Sequence, residues 1–128
     1  MCVYRGDNAA DFATAVRSVY TAQTVKPTEI IVVVDGPIPD TLETTLAMLQ
    51  DEAPLRIIRF DENRGHAAAR QAGLEAASTE LVAIMDADDI SEPDRFEKQL
   101  RALEREPKVS VFGGQIREFV GDPSNMVG

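Results

Sequence analysis

Three carboxylates lie within four positions of the chain, at Asp86, Asp88 and Asp89, directly after the apolar run of residues 81–85. Carboxylates this close together repel one another, and a cation bound between them relieves that repulsion. A set of oxygen ligands without cysteine favours Mg²⁺ or Mn²⁺ over Zn²⁺. Because such ions usually also hold substrate phosphates, residues 86–89, the acidic segment, predict metal-assisted chemistry on a phosphorylated ligand.

The same stretch also has a purely structural interpretation. Ser91 is a good N-cap and Pro93 suits the first turn of a helix, so the carboxylates can belong to an acidic loop that leads into the next helix. The acidic segment by itself leaves both interpretations open. The choice depends on which other side chains the fold places beside it.

The strands that must position the acidic segment are predicted from apolar runs of strand length. The most apolar and β-branched run, at residues 29–34, is typical of a central strand that is buried on both faces. The other predicted strands are residues 1–4, 55–60, 81–85 and 109–112, with a candidate edge strand at residues 115–120.

Four helices are predicted between these strands from apolar residues at helical spacing. The first begins after Asp7 or Asn8, either of which can cap it, and the second begins near Asp40, which has capping-box spacing to Glu43. The third covers residues 66–77, and the fourth follows the acidic segment. Strands and helices that alternate at short spacing predict an α/β domain with a mostly parallel sheet and flanking helices.

Polar residues stand at the carboxyl ends of the predicted strands, where sheets of this class bind their ligands. These residues are Tyr4 with Arg5, Asp35, Asp61 with Asn63, and the acidic segment. Three of the four positions carry carboxylates, which indicates a domain that binds a phosphate or nucleotide with the help of a metal ion.

Composition restricts the partners of the chain. Its 128 residues suffice for one domain, and its net charge of −9 argues against binding to nucleic acid through charge. Without tryptophan, stacking platforms for single-stranded nucleic acid are not evident. One cysteine, no visible signal peptide and no apolar run near the roughly 20 residues of a bilayer crossing predict a cytoplasmic protein.

Four segments together resemble the family 2 nucleotide-sugar glycosyltransferases, which have the Rossmann-like GT-A fold. They occur in the family's order and spacing and cover roughly residues 2–115. They are Val3-Tyr4 before a helix, residues 29–36 ending in Asp35-Gly36, Asn63-Arg64-Gly65 with Ala69-Arg70-Gln71, and Asp86-Ala87-Asp88-Asp89 with Pro93.

The resemblance implies a role for each matching nucleotide-binding position. Tyr4 matches the residue that lies against the nucleotide base, and Asp35 matches the carboxylate that hydrogen-bonds the base, usually uracil. Val34 replaces the first of two successive aspartates that the family often has there. Arg70 resembles the arginine near the nucleotide or its phosphates. These assignments favour a UDP-sugar as the donor.

The resemblance also implies that the acidic segment contains the D-x-D motif that binds Mg²⁺ or Mn²⁺. Asp88 is then the direct metal ligand, and Asp86 lies nearer the ribose while belonging to the same metal site. Asp89 is either a third ligand or a residue that orients the ligands. A divalent ion at this position neutralises the charge that develops on a diphosphate leaving group.

The family keeps its acceptor site and its catalytic base, an Asp or Glu, in a region that this chain does not contain. We therefore expect residues 1–120 to be the nucleotide-sugar-binding part of an inverting transferase and residues 121–128 to be a tail, with the base beyond the chain end and the acceptor unknown. We expect this part alone to transfer no sugar and to self-associate through its exposed sheet edge. Other parts of the full protein would hold it at the cytoplasmic face of a membrane.

Two other functions stay open at this point. A phosphoacceptor receiver domain has a similar length, sheet and acidic pocket, with Asp35 as the acceptor, but Tyr4-Arg5 and residues 112–114 stand where a receiver has its acidic pair and its lysine. A nucleotidyltransferase needs a longer glycine-rich loop than residues 5–7 provide. Binding of UDP, as opposed to phosphorylation by acetyl phosphate, separates the transferase from the receiver.

Overall fold

The computed structural model describes residues 1–123 and divides the chain into two compact units, residues 1–97 and the remainder. The first unit contains three strands, β1 (Cys2–Val3), β2 (Ile30–Val34) and β3 (Leu55–Arg59), and three helices, α1 (Ala9–Val19), α2 (Asp40–Glu52) and α3 (His66–Ala76). A fourth helix, α4 (Arg95–Arg105), begins in the first unit and ends in the second.

The three strands form one parallel sheet in the order β1-β2-β3. The register pairs Val3 with Val34 across the first interface, and Val34 with Arg59 across the second. β2 is therefore central, as its β-branched sequence predicts, and four of its five residues are buried. The predicted α/β class with a parallel sheet and flanking helices is confirmed.

Helices cover both faces of the sheet. Val32 and Val34 belong to the core cluster that contains Phe12 of α1 and Leu46 of α2. Val33 points to the opposite face, because side chains alternate along a strand. There it meets α3, where a Cβ atom added to Gly73 would lie 3.5 Å from a methyl group of Val33.

The starts of α1 and α2 differ in how closely they follow the prediction. Asn8 caps α1, and its Oδ1 accepts hydrogen bonds from the backbone of Ala10 at 2.8 Å and of Asp11 at 3.1 Å. The capping box predicted for α2 is wrong. Asp40 is already inside the helix, Pro39 holds the cap position without a side-chain bond, and Glu43 binds the guanidinium of Arg59 at 2.8 Å on both oxygens.

The strand predicted at residues 81–85 is wrong. This segment has no strand partner within residues 1–123, and Leu81, Val82 and Ile84 are 55%, 47% and 47% exposed. A strand needs a neighbour for its backbone hydrogen bonds. β1 is only two residues long, so it offers too short a partner for a five-residue run.

The strands predicted at residues 109–112 and 115–120 are also wrong, because neither segment is a strand among the described residues. Val111 and Ile116 are almost fully exposed, so their apolar side chains do not pack against a sheet as those of a buried strand would. Of the predicted tail, residues 121–123 form a bend and turn, and residues 124–128 lie outside the described part of the chain.

Candidate functional site

The carboxyl ends of β1 and β2 form one side of a cleft. Because Val3 pairs with Val34, the next residues, Tyr4 and Asp35, leave the sheet side by side. The cleft has a volume of about 600 Å³, and its lining residues are Tyr4, Arg5, Asp35, Pro37, Asp61, Glu62 and Asn63. A second cleft of about 220 Å³ shares three of these residues and is also lined by Cys2, Gly65 and His66. Three of the four predicted strand-end positions, Tyr4 with Arg5, Asp35, and Asp61 with Asn63, thus line one cleft.

Tyr4 stands in a tight turn that presents its ring to the cleft. Its backbone N–H donates to Oδ2 of Asp7 at 2.9 Å, and the N–H of Asp7 donates back to the carbonyl of Tyr4 at 3.1 Å. The ring lies over Gly6, where an added Cβ would come within 2.5 Å of the tyrosine hydroxyl. Gly6 therefore leaves the room that the ring occupies, and 45% of Tyr4 is exposed for a ligand.

Asp7 is a member of this site that the sequence interpretation missed, because it was considered only as a helix cap. Burial raises the pKa of Asp7, the bond from the Tyr4 N–H opposes that rise, and the charge of nearby Asp88 adds to it. Asp7 thus connects the Tyr4 turn electrostatically to the acidic segment. Its proximity to a D-x-D carboxylate had no local signal in the sequence.

Asp35 is 3% exposed, and its carboxylate holds the turn that leads into α3. One oxygen accepts the backbone N–H of Arg64 at 2.6 Å and the other accepts that of Gly65 at 3.0 Å. The Asp35 carbonyl accepts from the side-chain amide of Asn63 at 3.2 Å. The carboxylate thus fixes the turn at residues 63–65, and its predicted contact with a nucleotide base stays a prediction.

α3 directs two cationic or polar side chains toward the acidic segment. His66 and Arg70 are four positions apart, so they lie on one face of the helix. Nη2 of Arg70 lies 2.9 Å from Oδ1 of Asp86, and Nε2 of His66 lies 3.8 Å from the same oxygen. Arg70, predicted to lie near nucleotide phosphates, is paired with Asp86 here, and His66, on the same face of α3, lies beside the same carboxylate.

Asp88 and Asp89 are exposed beside Asp86. Burial raises the pKa of Asp89, and the charges of Asp88 and Asp86 raise it further, while Arg95 opposes the rise. These carboxylates therefore repel one another in the absence of a cation. The donor set is all oxygen, which fits Mg²⁺ or Mn²⁺.

The side chains are not gathered into a closed metal cage. Across residues 1–123, no three histidine, cysteine or carboxylate side chains are arranged so that together they would hold a metal ion. Mg²⁺ sites commonly use one or two protein carboxylates, with water and substrate phosphates as the other ligands. The acidic segment fits that open kind of site.

None of the helices described in residues 1–123 has both the length and the hydrophobicity needed to cross a membrane.

Comparison with known proteins gives the same family along almost the whole chain. The model of glycosyl transferase family 2 matches residues 1–127. An uncharacterized glycosyltransferase of Haemophilus influenzae is 39% identical over 106 residues, which are 83% of this chain and 40% of that protein. The amylovoran biosynthesis glycosyltransferase AmsE of Erwinia amylovora is 39% identical over 97 residues, which are 76% of this chain and 36% of that protein.

The name of a third relative states its activity. The UDP-Gal:alpha-D-GlcNAc-diphosphoundecaprenol beta-1,3-galactosyltransferase of Escherichia coli is 27% identical over 125 residues, which are 98% of this chain and 45% of that enzyme. The chain thus spans less than half the length of each of these relatives. The family match leaves the receiver and nucleotidyltransferase alternatives without support. With its parallel α/β sheet, its strand-end cleft and this match, the chain belongs to glycosyl transferase family 2.

Proposed function

We propose that this chain binds the nucleotide-diphosphate sugar from which a family 2 glycosyltransferase transfers the sugar. The proposal rests on one observation: three surfaces lie close together at one end of the sheet. They are the Tyr4–Asp35 cleft, the face of α3 that carries Arg70, and the acidic segment. A nucleoside diphosphate needs these three kinds of surface: a flat apolar contact for the base, a guanidinium for phosphate oxygens, and carboxylates for the accompanying cation.

In this proposal the base lies against the exposed ring of Tyr4, and the diphosphate extends toward Asp88 and Asp89. Arg70 exchanges its bond to Asp86 for phosphate oxygens, which its planar guanidinium matches geometrically. Asp86 then becomes available to the ribose or the metal site. Mg²⁺ or Mn²⁺, when bound, neutralises the charge that develops on the leaving diphosphate.

The chemical step we propose is an inverting displacement. An acceptor hydroxyl gives its proton to a general base and forms a bond to the anomeric carbon while the bond from that carbon to the diphosphate oxygen breaks. The base is expected outside the described residues, and the acceptor is unassigned. Residues of this chain bind and orient the donor.

We propose UDP as the nucleotide. The cleft contains Asp35 beside Tyr4, and each carboxylate oxygen of Asp35 still has a second lone pair after accepting one backbone N–H. The imide N–H of uracil is a suitable donor for such an oxygen. The name of the Escherichia coli relative, which includes UDP-Gal, supports the same choice.

Calorimetric titration of UDP, GDP and ADP in the presence of Mn²⁺ tests both the proposed donor site and the preference for uracil. We expect UDP to bind most tightly and its affinity to fall when EDTA replaces Mn²⁺. Equal or tighter binding of GDP would remove the uracil assignment alone. Failure of all three nucleotides to bind would overturn the proposed donor site.

A further inference from the structure

The acidic segment is the part of the proposed site that the sheet does not hold. The residues before it, 81–84, are exposed and have no strand partner. Other bonds must therefore set where Asp86, Asp88 and Asp89 lie. Their position is set by the packing of Met85 and Ala87 in the core, by a bond from the backbone N–H of Thr24 to the carbonyl of Pro93 at 2.9 Å, and by side-chain bonds to both flanks of the segment.

The flank after the acidic segment is held by Gln23, which follows α1 and is only 4% exposed. Its Nε2 donates to the carbonyls of Ser18 at 2.8 Å and Glu92 at 2.7 Å, and it lies 3.2 Å from the hydroxyl of Ser91. Its Oε1 accepts from the backbone N–H of Phe96 at 3.3 Å. The opposite amide orientation would turn Oε1 toward two carbonyl oxygens, so these partners fix the side chain in one orientation.

Ser18 completes this buried arrangement. Its hydroxyl donates to the carbonyl of Ala15 at 2.7 Å and accepts from the backbone N–H of Ser91 at 3.0 Å. We call Ser18, Gln23 and Ser91 the polar clamp. In residues 1–123, every buried side-chain nitrogen or oxygen has a hydrogen-bond partner. Ser91, predicted as a helix N-cap, serves in the clamp instead, and α4 begins only at Arg95.

The flank before the acidic segment is held by Arg95. Its Nη2 donates to the carbonyl of Ile84 at 3.0 Å, and its Nη1 lies 3.3 Å from the sulfur of Met85. Residues 84 and 95 are thereby joined across the acidic segment. The polar clamp connects the same loop to α1, so the loop is fixed to the body of the first unit.

We infer that Gln23 is a positioning residue for the donor's diphosphate and its divalent ion, acting through the acidic segment without touching the ligand. This inference rests on the proposed function. Outer residues that orient metal ligands commonly change metal affinity by about 10-fold to 100-fold when they are replaced. Gln23 can act in this way because its buried amide bonds both Ser91 and Glu92 and so restricts the arrangement of the loop.

The test compares Gln23→Met, which keeps the volume but removes all the amide hydrogen bonds, with wild-type protein. The affinity for Mn²⁺ with UDP is measured by calorimetry, and the Mn²⁺ environment by electron paramagnetic resonance. We expect Gln23→Met to weaken binding roughly 10-fold or more and to broaden the Mn²⁺ spectrum. Ser18→Ala, which removes one bond to the Ser91 backbone, should do the same by a smaller factor.

Leu49→Val is the matched control, because Leu49 is a buried core residue of α2 that takes no part in the clamp. It should lower the urea midpoint without changing Mn²⁺–UDP affinity or the spectrum. Wild-type affinity and spectrum in a folded Gln23→Met protein would overturn the inference alone. If Gln23→Met does not fold, unchanged affinity in Ser18→Ala would overturn it. Absence of binding by wild-type protein would instead overturn the proposed function, and this inference with it.

Discussion

The turn at residues 63–65 and the acidic segment meet at the same end of the sheet but are held by different bonds. The turn is fixed to the end of β2 by the buried carboxylate of Asp35, which accepts two backbone N–H groups. The acidic segment follows a run without strand partners, and Gln23 and Arg95 fix its flanks. One side of the site is thus held by the residue that directly follows the central strand, whereas the other is held by residues outside the sheet.

This difference suits the role of each side of the site in the proposed function. The base-binding side needs a fixed shape, which a buried carboxylate at a central strand provides. The acidic segment carries charges that repel one another: burial raises the pKa of Asp89 most, and the charges of Asp88 and Asp86 raise it further. The bonds on both flanks of the segment keep these carboxylates close together, and a bound cation would remove their repulsion. The comparison predicts that mutations on the strand-held side cost stability and that mutations in the acidic segment mainly cost ligand binding.

The largest loss of stability is expected for Asp35→Ala. The change leaves the N–H groups of Arg64 and Gly65 without their buried acceptor, and each bond to a charged group contributes about 1.5–3 kcal/mol, so we expect a loss of about 3 kcal/mol or more. Urea denaturation measures it, with Asp61→Ala, an exposed carboxylate of the same cleft, as the control. A loss as small as that of Asp61→Ala would show that the turn does not depend on Asp35.

A smaller loss is expected for Gly36→Ala, and Gly65→Ala provides its control. Both glycines have a positive φ, of 84° and 88°, and Gly65 combines it with an extended ψ of 159°, so an alanine at either position is strained by about 1–3 kcal/mol. Only at Gly36 would the new Cβ also collide, at 2.6 Å from the backbone nitrogen of Asn63, whereas at Gly65 it would meet no atom within 4 Å. The difference between the two unfolding free energies isolates the contact of the strand end with the turn, and equal losses would contradict that contact.

The smallest effect on stability, with the opposite sign, is expected for Asp88→Ala. Burial raises the pKa of Asp7 and of Asp89, and the charge of Asp88 adds to both shifts, so these carboxylates oppose folding once they are ionised. Removing the charge should stabilise the metal-free protein at neutral pH by at most about 0.5 kcal/mol, because the groups are largely solvated. The gain should disappear as the pH falls through the raised pKa values, where Asp7 and Asp89 become protonated.

The same variant should lose Mn²⁺-dependent binding of UDP, and thermal melting with and without Mn²⁺ and UDP measures both effects. Asp94→Ala, a carboxylate beyond the acidic segment, is the control. A metal-dependent shift that survives in Asp88→Ala would count against Asp88 as a ligand. A loss of stability in the metal-free variant would contradict the repulsion on which the comparison is based.

Local patterns were sufficient to predict β2, the helix capped by Asn8 and the turn at residues 63–65, because each depends on propensities of neighbouring residues. The strand predicted at residues 81–85 failed because apolar character does not supply a partner, and pairing is decided far along the chain. The helix start predicted at Ser91 failed for the same reason, because the hydrogen bonds of Ser91 are made with Ser18 and Gln23, far along the chain.

The sequence predicted which residues of the candidate site lie near one another better than it predicted the hydrogen bonds that they make. Tyr4, Asp35, Arg70 and the acidic segment do lie at one end of the sheet. The bonds of Asp35 to the backbone of Arg64 and of Gln23 to Glu92 join positions 29 and 69 residues apart, which no local pattern encodes. The sequence therefore did not show that Asp35, predicted to face a ligand, also holds a turn, or that a linker glutamine bonds the flank of the acidic segment.

The central claim is that Mn²⁺ and UDP bind where the strand-end cleft meets the acidic segment. Paramagnetic broadening of backbone amide signals in a ¹⁵N-labelled protein tests it directly, because Mn²⁺ broadens only nearby nuclei. With Mn²⁺ and UDP together, we predict loss of the amide signals of residues 4–7, 64–66 and 86–89, while those of α2 stay sharp. Broadening centred elsewhere, or an unchanged spectrum when both are present in excess, would contradict the claim.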